Sequence, residues 1–315
     1  MKCHEYRVHG LRVDSVLEFP ELLPGSGPPD ASIRYGDVPL SLHDPLEQNA
    51  FFEAKPGHFL LKLDGIARFL VSEGKQILID RSPDSRDDEI RLFLLGSALG
   101  ALLHQRGVLP LHGSAIATEK GAVVFVGGSG NGKSTLAGVF QKRGYSVLAD
   151  DVSVISFDDR KRAWVLPAYP QINVWEDAAQ MLNRETASLP RVRPGVEKYG
   201  LRIRESFAQE PVALSSVYVI DLGKEQVGVV EAVRGLRKMQ MFVEHTYRPM
   251  ILGGLGRWRD HFKLAEMAAN SAPVRRVMRC PDQPLSQRPA DLLEEDFRAR
   301  PGVAELSTDR SGAGK

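Results

Sequence analysis

Gly127-Gly128-Ser129-Gly130-Asn131-Gly132-Lys133-Ser134, with Thr135 next, fits the pattern G-x-x-x-x-G-K-[ST]. This is the pattern of a P-loop, in which backbone N–H groups wrap a nucleotide's phosphates, the lysine reaches the β/γ-phosphates and the hydroxyl takes Mg²⁺. Glycines are needed because a Cβ would block several of the conformations that bring backbone close to phosphate. Upstream, Ala122-Val123-Val124-Phe125-Val126 is a short apolar, β-branched run that predicts a buried strand. Downstream, Ser134 to Arg143 has Leu136, Val139 and Phe140 at helical spacing, with Gly144 placed to end the helix. Strand, loop and helix together predict an α/β domain whose nucleotide site is built from Gly127 to Thr135.

Around this stretch lie 315 residues, enough for one large domain or two moderate ones. Hydrophobic and charged fractions of 43% and 26% are those of an ordinary globular protein. A formal net charge of +1 speaks against nucleic acid or an anionic membrane as the main partner. The N-terminus has no apolar run suited to a signal peptide, and the most apolar stretch, Leu92 to Leu103, is too short to span a bilayer. Cys3 and Cys280 lie far apart without metal-ligand spacing. They read as reduced thiols of a cytoplasmic protein, with a single disulfide as the other option.

Residues 1–86 read as a β-rich module. Tyr6 to Val13 alternates apolar and polar residues, which predicts one half-buried strand. Six prolines between Pro20 and Pro45 predict a long connection or short edge strands. Phe59–Leu63, Ala67–Val71 and Gln76–Ile79, punctuated by Asp64-Gly65 and Glu73-Gly74, predict a meander. Asp84 or Asp87 is a candidate N-cap for a buried connecting helix over 87–106, apolar nearly all round from Ile90 to Gln105. A second domain then runs over 107–303. It opens on a strand from Leu109 to Ala117, and beyond the loop has strands at Ser146–Ala149, Val152–Phe157, Ser216–Leu222, Val227–Val233 and Val274–Met278. Helices are expected at Leu236–His245, Trp258–Asn270 and from Pro289, where Leu292, Leu293 and Phe297 share a face. Pro167 to Gly200, with Arg184, Arg191, Arg193 and Lys198, reads as an irregular, mobile, basic loop on the substrate side. Residues 304–315 read as a disordered tail.

The chemistry-bearing groups cluster near the loop in sequence. Asp150-Asp151 follows Ser134 by sixteen and seventeen residues, at the end of the next strand and at the sheet edge where ligands bind. One carboxylate there can hold Mg²⁺ beside the Ser134 hydroxyl while the other accepts a proton. The bland alternative is a solvated acidic turn. His112, fifteen residues before Gly127, is either a core histidine or a site residue. Lys198, Arg202 and Arg204 either supply charge to a transferring phosphoryl group or form a solvated basic face.

His112-Gly113 on a strand, the P-loop at this interval, Lys142-Arg143-Gly144-Tyr145 and then Ala149-Asp150-Asp151 together resemble the catalytic domain of the HPr kinase/phosphorylase-related family. The likeness runs from about Leu111 to Ile155. It implies a P-loop, HPr-kinase-like (carboxykinase-like) α/β fold beside a smaller β-rich N-terminal domain, with ATP and Mg²⁺ as cofactors. It further implies that Lys133 contacts the β/γ-phosphates, Ser134 and Asp151 bind Mg²⁺, and Asp150 is the general base on a substrate serine. His112 would orient the acidic pair or the phosphate, and Lys198 and Arg202 would serve as catalytic cations. Such kinases form homo-oligomers. A Glu-Arg-Gly-Leu-Gly-type signature, tied to phosphorolysis, does not follow the acidic pair, since Arg234-Gly235-Leu236 runs on into Arg237-Lys238. Pro170-Gln171-Ile172-Asn173-Val174-Trp175 and Glu197-Lys198-Tyr199 look similar to peptide-tailoring members, including lasso-peptide kinases. The implied partner is therefore a peptide or small protein carrying Ser. A small-molecule kinase, for example one for free serine, and a nucleotide-binding docking protein are the alternatives.

Overall fold

The computed structural model describes residues 3–192, 195–223, 230–280, 285 and 288–300. The chain is mixed α/β with several sheets, and divides into two compact units. One holds Met1–Pro110 with Val192–Val196 and Thr246–Leu264; the other holds Leu111–Arg191, Glu197–His245 and the chain from Ala265 onward.

The first unit is built on a nine-stranded sheet. The stretch Tyr6 to Val13 is not one strand but a hairpin, His4–Val8 paired antiparallel with Leu11–Ser15. His9 and Gly10 form its two-residue turn with φ of 50° and 73°, the backbone a tight hairpin requires. The proline-rich region also departs from expectation. Ala31–Tyr35 is an interior strand, parallel to both Leu11–Ser15 and Gln76–Arg81. Its Ala31 and Ile33 are buried, and no proline interrupts it. The meander forms as expected, with His58–Leu63, Ala67–Ser72 and Gln76–Arg81 antiparallel in turn.

The connecting helix runs from Asp87 to Gln105, with Leu94–Ala98 in π geometry between two α segments. Arg86 holds the N-cap position in place of Asp84 or Asp87. The Glu89 carboxylate accepts from the Arg86 backbone N–H at 3.1 Å, and Asp87, Asp88 and Glu89 set three acidic groups against the positive end of the helix dipole. Gly100 leaves room for Tyr247, whose ring would lie 3.0 Å from a Cβ there. His104 Nε2 pairs with the Tyr247 carbonyl at 2.8 Å, and His261 Nε2 with Thr246 Oγ1 at 2.8 Å. Burial pushes both imidazoles down to about 4.

The second unit carries an eight-stranded sheet among the described residues. Gly121–Gly127 lies between Leu109–Thr118, antiparallel, and Val212–Leu222, parallel. Its Ala122 to Val126 side chains are all buried, because both faces are covered. The helix Lys133–Lys142 buries Leu136, Ala137, Val139 and Phe140, and Phe140 stacks on Phe125 at 5.5 Å. Gly144 follows it with φ of 93°, the left-handed step that ends a helix. The C-terminal helix Arg288–Arg298 seats Leu293 and Phe297 in the core, and Arg143 on the loop helix pairs with its Asp291 at 2.7 Å. Leu292 is half-buried.

Pro167 to Gly200 is irregular only in part. Gln171–Trp175 pairs antiparallel with Lys198–Arg202, and the helix Glu176–Met181 follows the first strand. The expected strand Val227–Val233 is described from Val230, while Arg193 and the tail 304–315 lie outside the described residues. Among the described residues no helix is long and apolar enough to cross a membrane.

Candidate active site

Strand Gly121–Gly127 ends directly in the glycine loop, and helix Lys133–Lys142 leaves it. Gly127, Gly130 and Gly132 take φ of 150°, 82° and 91°, values that other residues adopt only under strain. At two of them space matters as well as backbone. A Cβ on Gly127 would lie 2.3 Å from the Ile220 carbonyl oxygen, and one on Gly132 would lie 2.2 Å from Leu285 Cδ1. Asn131 braces the loop rather than lining it, since its buried Nδ2 donates to the Ile220 carbonyl at 2.6 Å.

Lys133 is 6% exposed, and its Nζ donates to the Gly127 and Gly128 carbonyls at 2.9 and 2.8 Å. Burial lowers its ammonium to about 8, against the pull of Asp150 and Asp151, which favours the charged form. An ammonium this poorly solvated gains from an anion, and the loop around it is open to one. Ser129, Gly130, Ser134 and Thr135 face the same cleft, of about 320 Å³.

The acidic pair divides sharply. Val152 N–H donates to the Asp150 carbonyl at 2.9 Å across Asp151, whose φ is 67°. This is a tight three-residue turn with a strained centre, and strain of that kind collects at functional positions. It sends the two carboxylates into different surroundings. Asp151 is half-buried and lines the cleft. Asp150 is 2% exposed, with Oδ1 accepting from Ser114 Oγ at 2.6 Å and Oδ2 from the Asn173 N–H at 2.7 Å. Burial raises its pKa, while those two bonds and Lys198 oppose the rise. Asp150, expected as the proton acceptor, thus stands behind the wall in this conformation.

His112 reaches the cleft from strand Leu109–Thr118. Its Nδ1 lies 3.1 Å from the Asp151 carbonyl and 3.8 Å from that residue's carboxylate. A carbonyl only accepts, so Nδ1 carries the proton and Nε2 holds the lone pair of the neutral ring. Burial and the Lys133 charge lower its pKa, so near neutral pH the ring is mostly uncharged. Lys198 lines the cleft, and its charge acts on Asp150, His112 and Lys133. Arg202, four residues further along the strand and roughly 13 Å away, is exposed and does not line the cleft. Arg204 is likewise exposed. Distance along an extended strand separates what sequence spacing had grouped.

The ribbon and the helix after it add wall residues not anticipated as ligands: Asn173, Trp175, Asp177 and Met181, with Arg279 from another strand. Ile172 and Val174 are buried, and that alternation was the available signal for a strand here. For a divalent cation the candidate donors are the Ser134 hydroxyl and the Asp151 carboxylate, with Thr135 and Asp177 on the same wall. No group of three or more His, Cys, Asp or Glu converges among the described residues. Two protein oxygens suit Mg²⁺, which completes its shell with phosphate oxygens and water.

No family model matches the chain, and no curated protein matches it. Among solved structures, the HPr(Ser) kinase/phosphatase from Coxiella burnetii aligns over 65% of this chain and 99% of that one. The two are 12% identical, with a TM-score of 0.34. At that score no residue role carries across.

Proposed function

We propose that the chain is an ATP- and Mg²⁺-dependent kinase that transfers the γ-phosphate to a serine hydroxyl of a peptide or small protein. The observation that carries this reading is a single cleft containing the glycine loop, the buried Lys133 ammonium, the Ser134 hydroxyl and the Asp151 carboxylate held beside His112. Lys133 and the loop N–H groups would hold the phosphates, and Ser134 with Asp151 would hold the metal. Bound ATP supplies the phosphoryl group, and Mg²⁺ neutralises charge on its oxygens.

The residues of the chain then have separable tasks. Lys198 adds positive charge beside the acidic pair. His112, neutral and anchored through Nδ1 to the Asp151 carbonyl, fixes the turn. Asp151, whose carboxylate is at the wall, takes the acceptor proton as well as touching the metal. A loose phosphoryl-transfer transition state asks only for late proton removal, so a strong base is not needed. Asp150, tied to Ser114 and Asn173, holds the turn. This moves the base role from Asp150, where the family resemblance implies it, to Asp151, on the ground of burial.

The test is transfer of labelled γ-phosphate to Ser-containing peptides and to free serine, followed together with Mg·ATP affinity. Peptide phosphorylation supports the reading, and label on free serine alone moves it to a small-molecule kinase. Tight ATP binding with no transfer to any hydroxyl leaves a nucleotide-binding docking protein instead.

A further inference from the structure

Three parallel strands deliver their carboxyl ends to one edge of the sheet. They are Gly121–Gly127, Val212–Leu222 and Val274–Arg279, with Gly127 opposite Ile220 and Leu222 opposite Arg279. Ligands of α/β sheets bind at that edge. The first strand ends in the glycine loop, and the third ends in Arg279. Arg279 Nη1 donates to the Asn131 carbonyl at 3.3 Å, so its guanidinium lies directly against the loop. A Cβ on Gly132 would stand 2.7 Å from the same nitrogen, so glycine at 132 is what admits it. Arg279 also lines the cleft together with Lys133, Ser134 and Thr135.

We propose that Arg279 is a phosphate-binding residue of this cleft, a second fixed cation that grips the nucleotide's polyphosphate alongside Lys133. The inference rests on the nucleotide reading above. Its chemistry differs from that of Lys133. An ammonium is a point charge, whereas a guanidinium is a planar fork with five donors that matches two phosphate oxygens at once. The Asn131 carbonyl accepts from Nη1 and helps set the plane. Burial disfavours the charged state of Arg279, while Asp177, on the same cleft wall, favours it.

The experiment titrates the full chain with Mg·ATP, Mg·ADP and adenosine, for wild type, Arg279→Ala and Arg279→Lys. It includes the melting temperature of each ligand-free protein. Arg279→Ala should weaken Mg·ATP binding roughly 10- to 100-fold, the range for a hydrogen bond to a charged group. Adenosine binding should not change, and Arg279→Lys should recover part of the loss because charge is kept and the fork is not. If adenosine weakens as much as ATP, or if ATP affinity is unchanged, Arg279 only braces the loop and the inference is overturned. If Arg279→Ala does not fold, an Arg279→Lys variant with wild-type ATP affinity overturns the fork contact by itself. Wild-type protein that fails to bind Mg·ATP overturns the nucleotide reading, and this inference with it.

Discussion

The glycine-loop segment Gly121–Lys142 and the ribbon of Gln171–Trp175 with Lys198–Arg202 both face the cleft, but they are made in different ways. The first is a strand, a turn and a helix consecutive in sequence, and each piece is set by local rules: β-branched burial, positive-φ glycines, apolar helical spacing. The second is closed by pairing across a long insertion, Trp175 opposite Lys198 and Gln171 opposite Arg202. The Asn173 N–H of the ribbon then holds the Asp150 carboxylate at 2.7 Å. In the proposed kinase the local segment would supply the phosphate contacts, whereas the non-local one decides which groups surround Asp150 and Asp151. Substitutions in the two should therefore fail in different ways.

The largest effect belongs to the loop. Lys133→Ala removes the cation that ties Gly127 and Gly128 and leaves an anion without its buried partner. Mg·ATP binding should weaken by about 100-fold or more, and transfer should fall below detection. Unchanged affinity in calorimetry would remove the phosphate-loop reading.

Next come the two aspartates, which lie between the segments. Asp151→Asn keeps the turn, since Asn tolerates a φ of 67°, and should lower transfer by roughly two to four orders of magnitude. Partial recovery in Mn²⁺ would mark the metal contact within that loss. Asp150→Asn is accommodated differently. Its amide oxygen still accepts from Asn173 N–H, and the Ser114 hydroxyl can rotate to accept from its NH₂ group. Folding should be kept, and transfer should fall less than in Asp151→Asn. The reverse order of the two rates would return the proton to Asp150 and break the assignment made from burial.

Within the ribbon the contrast is sharper. Lys198→Ala should lower kcat roughly tenfold while leaving ATP affinity nearly intact, as for one charge-assisted contact made on the acceptor side. Arg202→Ala, four residues along and off the wall, should leave kcat and KM unchanged. Equal losses in both would mean that the ribbon acts as a general basic surface.

The smallest effect is one of pH. The Lys133 ammonium, lowered to about 8 by burial, prefers to be charged when phosphate is bound. Below pH 8 it is already protonated and affinity should be flat. As pH rises through 8 the free protein loses the proton that the complex needs, so ATP affinity should decline and binding should take up protons. Calorimetry at pH 7 and 9 in buffers of different ionisation heat reads both. An affinity that is level to pH 9 would mean that the lysine is not the phosphate cation.

Much of the architecture was legible from residues alone, and the misses have physical causes. In Tyr6 to Val13 the apolar positions shift from even to odd across His9-Gly10, the mark of a hairpin that simple alternation conceals. Ala31–Tyr35 was hidden because prolines on either side suggested an edge, while its pairing partners lie elsewhere in the chain. The ribbon was missed for the same reason. Its Ile172 and Val174 alternate, but a basic, Pro-flanked segment shows no strand until its partner is in place.

By itself the sequence determined the strand–loop–helix unit, the identity of Lys133 and Ser134, and the presence of an acidic pair at the end of the following strand. These depend on backbone sterics and burial over a few neighbouring residues. Only the tertiary structure decided which aspartate meets the cleft, that Lys198 lines it and Arg202 does not, and that Arg279 lies against the loop. Those outcomes depend on strand register and on competition for buried hydrogen bonds, which join residues as far apart as Asn131 and Arg279 and leave no periodic trace in the chain.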